Sequence, residues 1–411
     1  MKILLYSINY FPEKTGIGKY NHDFAEYLFS KGHDIAVLTA NPYYPDWKVF
    51  DDYSANKYSV EYISGIKVQR CPLYVPRKLS TLKRLLHLLS FSLSSSVKLF
   101  SLLRKKPDFI FIVQPTLFTV PFSLLYSKIF SVKTIMHVQD FEVDALFGLR
   151  KSKSFTRKFV EALEMALISK INFFSTISYS MIDKLVAKGI DRERIQYLPN
   201  WADISNISPE ADFQAFKKNL SYSSSDTILL YSGNIGEKQG LENLVYAADK
   251  LKYSSNLKFM VVGNGANLEN LKNLADSLNL TNIRFYPLFD WEDVPKLLAM
   301  ADIHVVLQRA GAADAVLPSK LTNILAAGGQ AIVTCEKDTE LGIIENSNPG
   351  IYKVIPPESV KDLVQAISYF KDKDKTVNNT ARAYAIQNLD RDVIINRFLS
   401  FLESKLKERK L

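Results

Sequence analysis

Three glycines and a lysine between residues 233 and 240 are the residues of this chain whose types and spacing point most directly to chemistry. Gly233, Gly236 and Gly240, with Lys238 among them, follow an apolar run at 228–231 and precede an amphipathic helical pattern. A strand, a glycine-rich turn and a helix N-terminus present unpaired backbone N–H groups and a favourable dipole to an anion. Lys238 adds a positive charge at the same point. The pattern predicts a phosphate site, with an ordinary tight turn and a surface lysine as the alternative.

The spacing of these glycines argues against two common phosphate-binding motifs, because it matches neither G-x-G-x-x-G nor G-x-x-x-x-G-K-[ST]. The residue types also argue against a metal centre. The chain has five histidines, lacks H-E-x-x-H and C-x-x-C, and separates its two cysteines, Cys71 and Cys335, widely along the sequence. Thin cysteine usage without metal-ligand spacing is typical of a protein of the reducing cytosol.

The elements that must position this turn are predicted by apolar runs that alternate with helical patterns in both halves of the chain. With 411 residues, 47% apolar and 23% charged, the chain is long and apolar enough for two or three globular domains. Strands that alternate with helices indicate doubly wound parallel sheets, with sites at the carboxyl ends of the strands. We predict an α/β fold with two Rossmann-like domains facing a cleft, at 1–205 and 206–385, and a last helix within 386–411. The domain boundary lies in the polar segment 200–226.

The uncharged stretch at 109–127 is 19 residues long, close to the length that spans a bilayer. It contains Gln114, Pro115 and Pro121. Its first part is typical of a buried parallel strand, and Pro121 suits the first turn of a following helix. We therefore expect a strand and a helix here, not a transmembrane segment.

A basic segment lies between Glu61 and Asp108, in a chain whose formal net charge is +9. It has no acidic residue and ten basic ones: Lys67, Arg70, Arg77, Lys78, Lys83, Arg84, Lys98, Arg104, Lys105 and Lys106. Apolar residues recur in it at helical spacing: Leu82, Leu86, Leu89, Leu93, Val97, Phe100 and Leu103. The segment is either a core helix with a solvated basic face or an interfacial surface for anionic lipid, to which each Lys or Arg contributes about 1 kcal/mol. No nucleic-acid partner is expected, because the basic residues are not interleaved with aromatic stacking residues and the sequence has no RNA- or DNA-binding motif.

Short motifs follow one another along nearly the whole chain: TGIGKY at 15–20, QD at 139–140, LPNWAD at 198–203, YSGNIGEKQG at 231–240, VVGNGANLENL at 261–271, DVPKLLAMADIHVV at 293–306 and LPSKLTNILAAGG at 317–329. In this order and spacing they resemble the retaining nucleotide-sugar glycosyltransferases of family 4, which have the GT-B fold. SINYFPEKTGIGKY, HVQDFEVDA and RAGAADAVLPSKL are similar to the colanic-acid-type exopolysaccharide fucosyltransferase subgroup in particular.

The resemblance implies roles for individual residues. In the family, the N-terminal glycine loop approaches the donor diphosphate, and a lysine corresponding to Lys238 neutralises it. The family's arginine after the first glycine falls on Asn234, so the missing charge is expected from Lys320 or Arg309. The family's two glutamates, spaced eight apart, fall on Ala315 and Asn323.

The histidine that family members place against the donor sugar matches either His137 or Gln139. The predicted catalytic residues are His137, Asp140, Lys238 and Lys320. Asp314 is included among the site residues because it is next to Ala315, where the family has a glutamate. The predicted substrate-binding residues are Gly16, Gly18, Gly233, Asn234, Gly236, Arg309, Asp314, Ser319 and Asn323.

The activity implied by the resemblance is transfer of a sugar, with retention, from GDP-fucose or a UDP-sugar to a polyprenyl-diphosphate-linked or oligosaccharide acceptor. The resemblance also implies exopolysaccharide biosynthesis. Together with the basic segment, it leads us to expect a peripheral protein on the cytoplasmic face of the cell membrane, with an anionic membrane surface as a partner. Because we expect no metal cofactor, charge on the leaving diphosphate must be met by lysines and backbone N–H groups. The alternatives are a sugar-nucleotide epimerase of the same fold, a catalytically silent scaffold and a basic nucleic-acid-binding protein.

Overall fold

The structure, a computed structural model, describes residues 1–13, 16–78, 80–102, 106–115, 117–141, 155–311, 318–372 and 376–407. The chain forms two compact units. The first comprises Met1–Ile177 and Ile182–Leu198, and the second comprises Ser178–Met181 and Pro199–Leu411. The predicted domain boundaries and the packing of the last helix on the first domain stay predictions.

The first unit is built on a sheet that has eight strands among the described residues. They are β1 (Lys2–Tyr6), β2 (Asp34–Ala40), β3 (Ser59–Ile63), β4 (Ile66–Cys71), β5 (Phe109–Val113), β6 (Lys133–Val138), β7 (Phe173–Thr176) and β8 (Ile195–Tyr197). Their order is β3-β4-β2-β1-β5-β6-β7-β8, and all pairs are parallel except β3–β4. The helices of this part of the chain are α1 (Ile17–Ser30), α2 (Thr81–Ser101), α3 (Val120–Phe130), α4 (Phe155–Ile168) and α5 (Tyr179–Ala187).

The second unit is built on a parallel sheet of six described strands. They are β9 (Thr227–Ser232), β10 (Leu257–Val262), β11 (Ile283–Tyr286), β12 (Ile303–Val306), β13 (Ala331–Thr334) and β14 (Lys353–Ile355), in the order β11-β10-β9-β12-β13-β14. Its helices are α6 (Gln214–Asn219), α7 (Glu242–Lys250), α8 (Leu268–Ser277), α9 (Val294–Met300), α10 (Ser319–Ala326), α11 (Glu340–Ser347), α12 (Val360–Lys371), α13 (Asn379–Asn388) and α14 (Arg391–Lys407). Two apolar clusters fill this unit, and the α/β prediction with two doubly wound sheets is confirmed.

Both sheets reverse their strand order beside one strand, β1 in the first and β9 in the second. In open α/β sheets, ligands bind outside the carboxyl ends of the strands at such a point. The predicted residues Gly16 and Gly18 follow β1, and Gly233 and Asn234 follow β9. Each predicted glycine loop therefore lies where the topology of its own sheet favours a site.

The uncharged stretch at 109–127 folds as the sequence predicts. It forms the fully buried strand β5, a short 3₁₀ helix at Leu117–Thr119 and then α3, which carries Pro121 in its first turn. None of the helices that the structure describes is both long enough and apolar enough to cross a membrane.

Candidate functional site

The loop after β9 is joined to the loop after β10 by backbone hydrogen bonds. The N–H of Gly233 donates to Val262 O at 2.9 Å, and the N–H of Ile235 donates to Asn264 O at 2.9 Å. A Cβ at Gly263 would lie 1.9 Å from Gly233 O, and one at Gly265 would lie 2.3 Å from Ile235 O. No other residue type fits so close an approach, so these two glycines fix the position of the Gly233 loop.

Lys320 lies directly against this loop. Its Nζ donates to the Tyr231 hydroxyl at 2.8 Å and stands 4.2 Å from the centre of the Tyr231 ring. A Cβ at Gly233 would lie 3.1 Å from the same Nζ. The Tyr231 hydroxyl in turn donates to Asn234 O at 2.6 Å. The structure thus brings three predicted residues, Lys320, Gly233 and Asn234, together around Tyr231, which the sequence analysis did not single out.

The Lys320 amine has no ion-pair partner among the residues that the structure describes; its hydrogen-bond partner there is the Tyr231 hydroxyl. Burial lowers the pKa of Lys320 from its ordinary 10.5 to about 7. Its hydrogen-bond acceptor, the Tyr231 hydroxyl, is neutral because burial raises the pKa of that phenol. Within the described residues no carboxylate lies in salt-bridge range of Nζ. A desolvated amine without a counter-ion favours the arrival of an anion, which stabilises its charged form.

Helix α10 begins at Ser319, and this brings two further predicted residues beside Lys320. Ser319 is exposed, and Asn323 lies three residues after Lys320 and is half-buried. Residues three and four apart lie on the same side of a helix. Asp314 lies outside the residues that the structure describes, as does Ala315.

Lys238 and Arg309 belong to a separate set of contacts. The backbone N–H of Arg309 donates to Lys238 O at 2.9 Å, and its guanidinium pairs with Glu358 at 2.9 Å and with Glu242. The Lys238 side chain is exposed, and with Arg309 it lines a surface pocket of about 460 Å³ beside α7 and α8. Two carboxylates already match the charge of Arg309. The structure therefore places Lys238 with Arg309, and Lys320 with Tyr231.

The Gly236 N–H, one of the donors that the glycine pattern places near a phosphate, is used inside the turn. It donates to Gln239 Oε1 at 3.0 Å. Residues Glu237–Gln239 form one turn of 3₁₀ helix, and Gly240 follows with a φ of 60°. A φ in the left-handed region suits glycine. Gln239 therefore shapes this turn, a role that the sequence motif does not reveal.

In the first unit, Gly16 and Gly18 surround the start of α1. Gly16 precedes the helix with a φ of 62°. A Cβ at Gly18 would lie 2.9 Å from the Cβ of Glu13 and 3.0 Å from its backbone oxygen. Gly18 is therefore required for close packing of the helix on Glu13, a residue that the sequence analysis did not consider.

Glu13 carries a buried carboxylate that is held by three donors. Its Oε1 accepts from the backbone N–H groups of Tyr43 at 2.9 Å and Tyr44 at 3.0 Å, and its Oε2 accepts from Asn9 Nδ2 at 2.9 Å. Burial raises the pKa of Glu13, although these hydrogen bonds and Arg70 oppose the shift. The carboxylate ties the loop after β1 to the loop after β2.

His137 is the last residue but one of β6, and both of its ring nitrogens have partners. Nδ1 lies 3.0 Å from Ser175 Oγ and Nε2 lies 3.1 Å from Gln139 Nε2, while the ring stacks on Phe111 at 5.5 Å. An amide nitrogen only donates, so Nε2 accepts and Nδ1 carries the proton. Burial lowers the pKa of His137 to about 3, and the ring is neutral at pH 7. Asp140, two residues beyond the strand, is exposed.

Among the residues that the structure describes, no three His, Cys, Asp or Glu side chains are grouped so as to hold a metal ion.

Comparisons with known proteins extend over both units. The family described as glycosyl transferases group 1 matches residues 212–387, and the glycosyl transferase 4-like domain matches residues 15–201. The chain is 45% identical, over 97% of its length and 99% of the relative's, to the colanic acid biosynthesis glycosyl transferase WcaI of Escherichia coli (strain K12).

Solved structures share the fold at low identity. Sucrose-phosphate synthase from Thermosynechococcus elongatus superposes with a TM-score of 0.75 at 15% identity, covering 99% of both chains. Anabaena Alr3699/HepE, solved in complex with UDP and glucose, superposes with a TM-score of 0.71 at 15% identity, covering 98% of this chain and 100% of its own. The predicted GT-B fold is confirmed.

Proposed function

The chain belongs to the group 1 glycosyl transferases with a glycosyl transferase 4-like domain, and from that premise we propose the reaction that this enzyme performs. It moves a sugar from a nucleoside diphosphate-sugar to a polyprenyl-diphosphate-linked or oligosaccharide acceptor, with retention, in extracellular polysaccharide biosynthesis of the colanic acid type. The polysaccharide is taken from the name of the relative that shares 45% of its residues.

The observation that carries the proposal is Lys320. Its partly buried amine lies against the Gly233 loop, hydrogen-bonded among the described residues to a neutral phenol. The leaving group of the reaction is a nucleoside diphosphate, on which negative charge develops as the glycosidic bond breaks. A preorganised cation in a desolvated site stabilises such charge more than it does in water. Ser319 and Asn323, on the same helix, are the polar residues proposed to bind the rest of the donor.

The donor is proposed to be GDP-fucose or a UDP-sugar. GDP-fucose follows from the resemblance of the sequence to the fucosyltransferase subgroup. A UDP-sugar is supported by a structural neighbour, Anabaena Alr3699/HepE, which was solved in complex with UDP-glucose. Mixing each nucleotide-sugar with the enzyme and a membrane extract, and measuring released nucleoside diphosphate together with labelled glycolipid, identifies the donor. The anomeric configuration of the product, read by NMR, tests retention.

Two other functions predict different products in that assay. An epimerase forms a new sugar without a glycosylated acceptor, and a silent scaffold binds partners without consuming any donor. Either result contradicts the proposed transfer.

The reaction is further proposed to need no metal cofactor, because Lys320 and backbone N–H groups meet the charge of the diphosphate. Saturating chelator is then expected to leave the rate unchanged. Complete loss of activity on chelation, restored by magnesium or manganese, contradicts this part of the proposal.

The enzyme is proposed to act at the cytoplasmic face of the cell membrane as a peripheral protein, with no nucleic-acid partner. A lipid-linked acceptor places its reacting end at the membrane surface. The absence of acidic residues between Glu61 and Asp108, together with the ten basic ones there, supports attraction to an anionic surface.

A further inference from the structure

Helix α2 has its apolar row on the outside. Leu82, Leu86, Leu89, Leu93 and Val97 are between 39% and 68% exposed. The inner face of the same helix is made of His87, Phe91, Ser92, Ser95 and Leu99, all buried. The row spans sixteen residues, from Leu82 to Val97, and its ends are about 22 Å apart along an α-helix. The expectation of a core helix whose basic face is solvated is therefore wrong for this row.

Small polar residues explain why the inner face is buried although it is less apolar than the outer one. Ser95 Oγ lies 2.5 Å from the Tyr6 hydroxyl, and Ser92 Oγ donates to Phe118 O at 2.6 Å. His87 Nδ1 lies 2.6 Å from Tyr74 O. Apart from His87 Nε2, which has no hydrogen-bond partner, these polar groups are paired inside the protein, and the helix packs with its leucines outward. The leucine row is thus exposed because the opposite face of α2 packs against the protein.

The charges around the row complement an anionic surface. Between Arg84 and Lys98 the helix has no charged residue, and Lys83, Arg84 and Lys98 stand at its two ends. Helix α3, which contacts α2, carries two exposed apolar residues of its own, Leu125 and Ile129. An apolar row with basic residues at its ends is typical of helices that lie in the plane of a membrane interface.

We propose that α2 is the membrane-docking element of this enzyme, and that its leucine row inserts at the boundary between the headgroups and acyl chains of a bilayer containing anionic lipid. This deepens the proposed function, on whose lipid-linked acceptor it rests. The basic residues attract the protein to the surface, and the row holds it there. A second copy of the chain is a less suitable occupant, because two segments without any acidic residue repel each other.

Partition onto vesicles of phosphatidylglycerol and phosphatidylcholine tests the proposal. The row variant is Leu86→Gln, Leu89→Gln and Leu93→Gln, since glutamine matches leucine in helix propensity. The control variant makes the same change at three exposed apolar residues of the second unit, Leu288, Ile343 and Ile386. The row variant is expected to lose about tenfold or more in partition, while the control binds as the wild type does.

Salt separates the two contributions to binding. Exposed charges are screened within about 3 Å at 1 M salt, but buried apolar area is not. The wild-type protein is therefore expected to keep part of its binding at 1 M salt, and the row variant to keep none. Complete loss of wild-type binding at that salt overturns insertion and leaves only charge attraction.

A fluorescent probe reports insertion directly. Both native cysteines, Cys71 and Cys335, are buried, so Leu89→Cys and Ile343→Cys allow selective labelling of the row and of a control position. An environment-sensitive dye at position 89, and not at 343, is expected to shift to the blue on anionic vesicles.

Besides the loss of wild-type binding at 1 M salt, three results overturn the proposal. These are wild-type partition of a folded row variant, equal dye spectra at both positions, and a dimer in solution that the row variant converts to a monomer. The last result assigns the row to a second copy. Partition is measured without any donor, so a negative result contradicts membrane docking without contradicting sugar transfer. Turnover of a water-soluble acceptor, measured without vesicles, tests the transferase proposal separately.

Discussion

The loops that follow β1 and β9 both contain glycines, but the ionisable groups that lie against them are of opposite charge. After β9, the amine of Lys320 lies against Gly233 with a neutral hydroxyl as its described partner. After β1, the carboxylate of Glu13 lies against Gly18 and accepts three hydrogen bonds from the protein itself. Among the described residues, one of these two groups is therefore held by several hydrogen bonds of the protein, and the other by a single neutral hydroxyl.

From this difference in hydrogen bonding we infer that the loop after β9, and not the loop after β1, binds an anionic ligand. The Glu13 carboxylate is already stabilised by three donors of the protein and joins two loops. The Lys320 amine has a neutral partner among the described residues, so an arriving anion stabilises its charged form. Removing Glu13 is therefore expected to reduce stability, and removing Lys320 to reduce donor binding and turnover.

The largest expected effect is on stability. Glu13→Ala leaves the N–H groups of Tyr43 and Tyr44 and the amide of Asn9 without their acceptor, and buried unsatisfied donors cost about 1–3 kcal/mol each. We expect a loss of about 3 kcal/mol in the free energy of unfolding, measured by urea titration. Glu13→Gln keeps an acceptor for both backbone donors and loses the one for Asn9 Nδ2, so this variant is expected to lose about 1 kcal/mol. Equal losses in both variants would contradict the role given to the carboxylate.

The second effect is on the donor. Lys320→Ala removes a charge-assisted contact worth about 1.5–3 kcal/mol, so donor turnover is expected to fall about tenfold to a hundredfold with stability kept. Lys238→Ala is the matched comparison, because this exposed lysine is predicted from the same resemblance. Its loss is expected to be smaller, since solvent screens an exposed charge. If both variants stay within about twofold of wild type in steady-state kinetics, the diphosphate site lies elsewhere.

The third effect is a dependence of binding on pH. Because the pKa of Lys320 is about 7 in the free protein, a bound diphosphate that stabilises the charged amine raises this pKa. Above pH 7 binding then takes up a proton, and affinity for the nucleoside diphosphate falls with rising pH by up to about tenfold per unit. Calorimetry at pH 8 in two buffers of different ionisation enthalpy measures the uptake. Lys320→Ala is expected to abolish this proton uptake, and Lys238→Ala to leave it unchanged. Unchanged proton uptake in Lys320→Ala would contradict the assignment of Lys320 to the diphosphate site.

The smallest effect is expected at Arg309. Its charge is already matched by Glu242 and Glu358, and it is partly exposed, so each ion pair contributes well under about 1 kcal/mol. Arg309→Met is expected to change donor affinity less than about threefold. A loss above about tenfold in direct nucleotide titration would show that Arg309 leaves its carboxylates to bind the donor.

The predictions from the sequence were most accurate where the signal is local. Apolar runs located the strands on which the site depends, including β5 in the uncharged stretch at 109–127. Missed elements, such as the edge strand β3 and the short β8, carry weak alternation and few residues. The glycine pattern also located Gly233, and the resemblance gave Lys320 as a second source of charge. Neither showed that Lys238 is exposed while Lys320 lies against Tyr231.

The sequence by itself determined the two alternating halves, the glycine loops and the presence of a leucine row, because these follow from spacing along the chain. Only the tertiary structure decided that Lys320 lies partly buried beside Tyr231, that Glu13 accepts three hydrogen bonds, and that the row on α2 faces outward. Periodicity shows which residues share a face of a helix. Which face is buried, and which charge finds a partner, depends on neighbours that are distant in the chain.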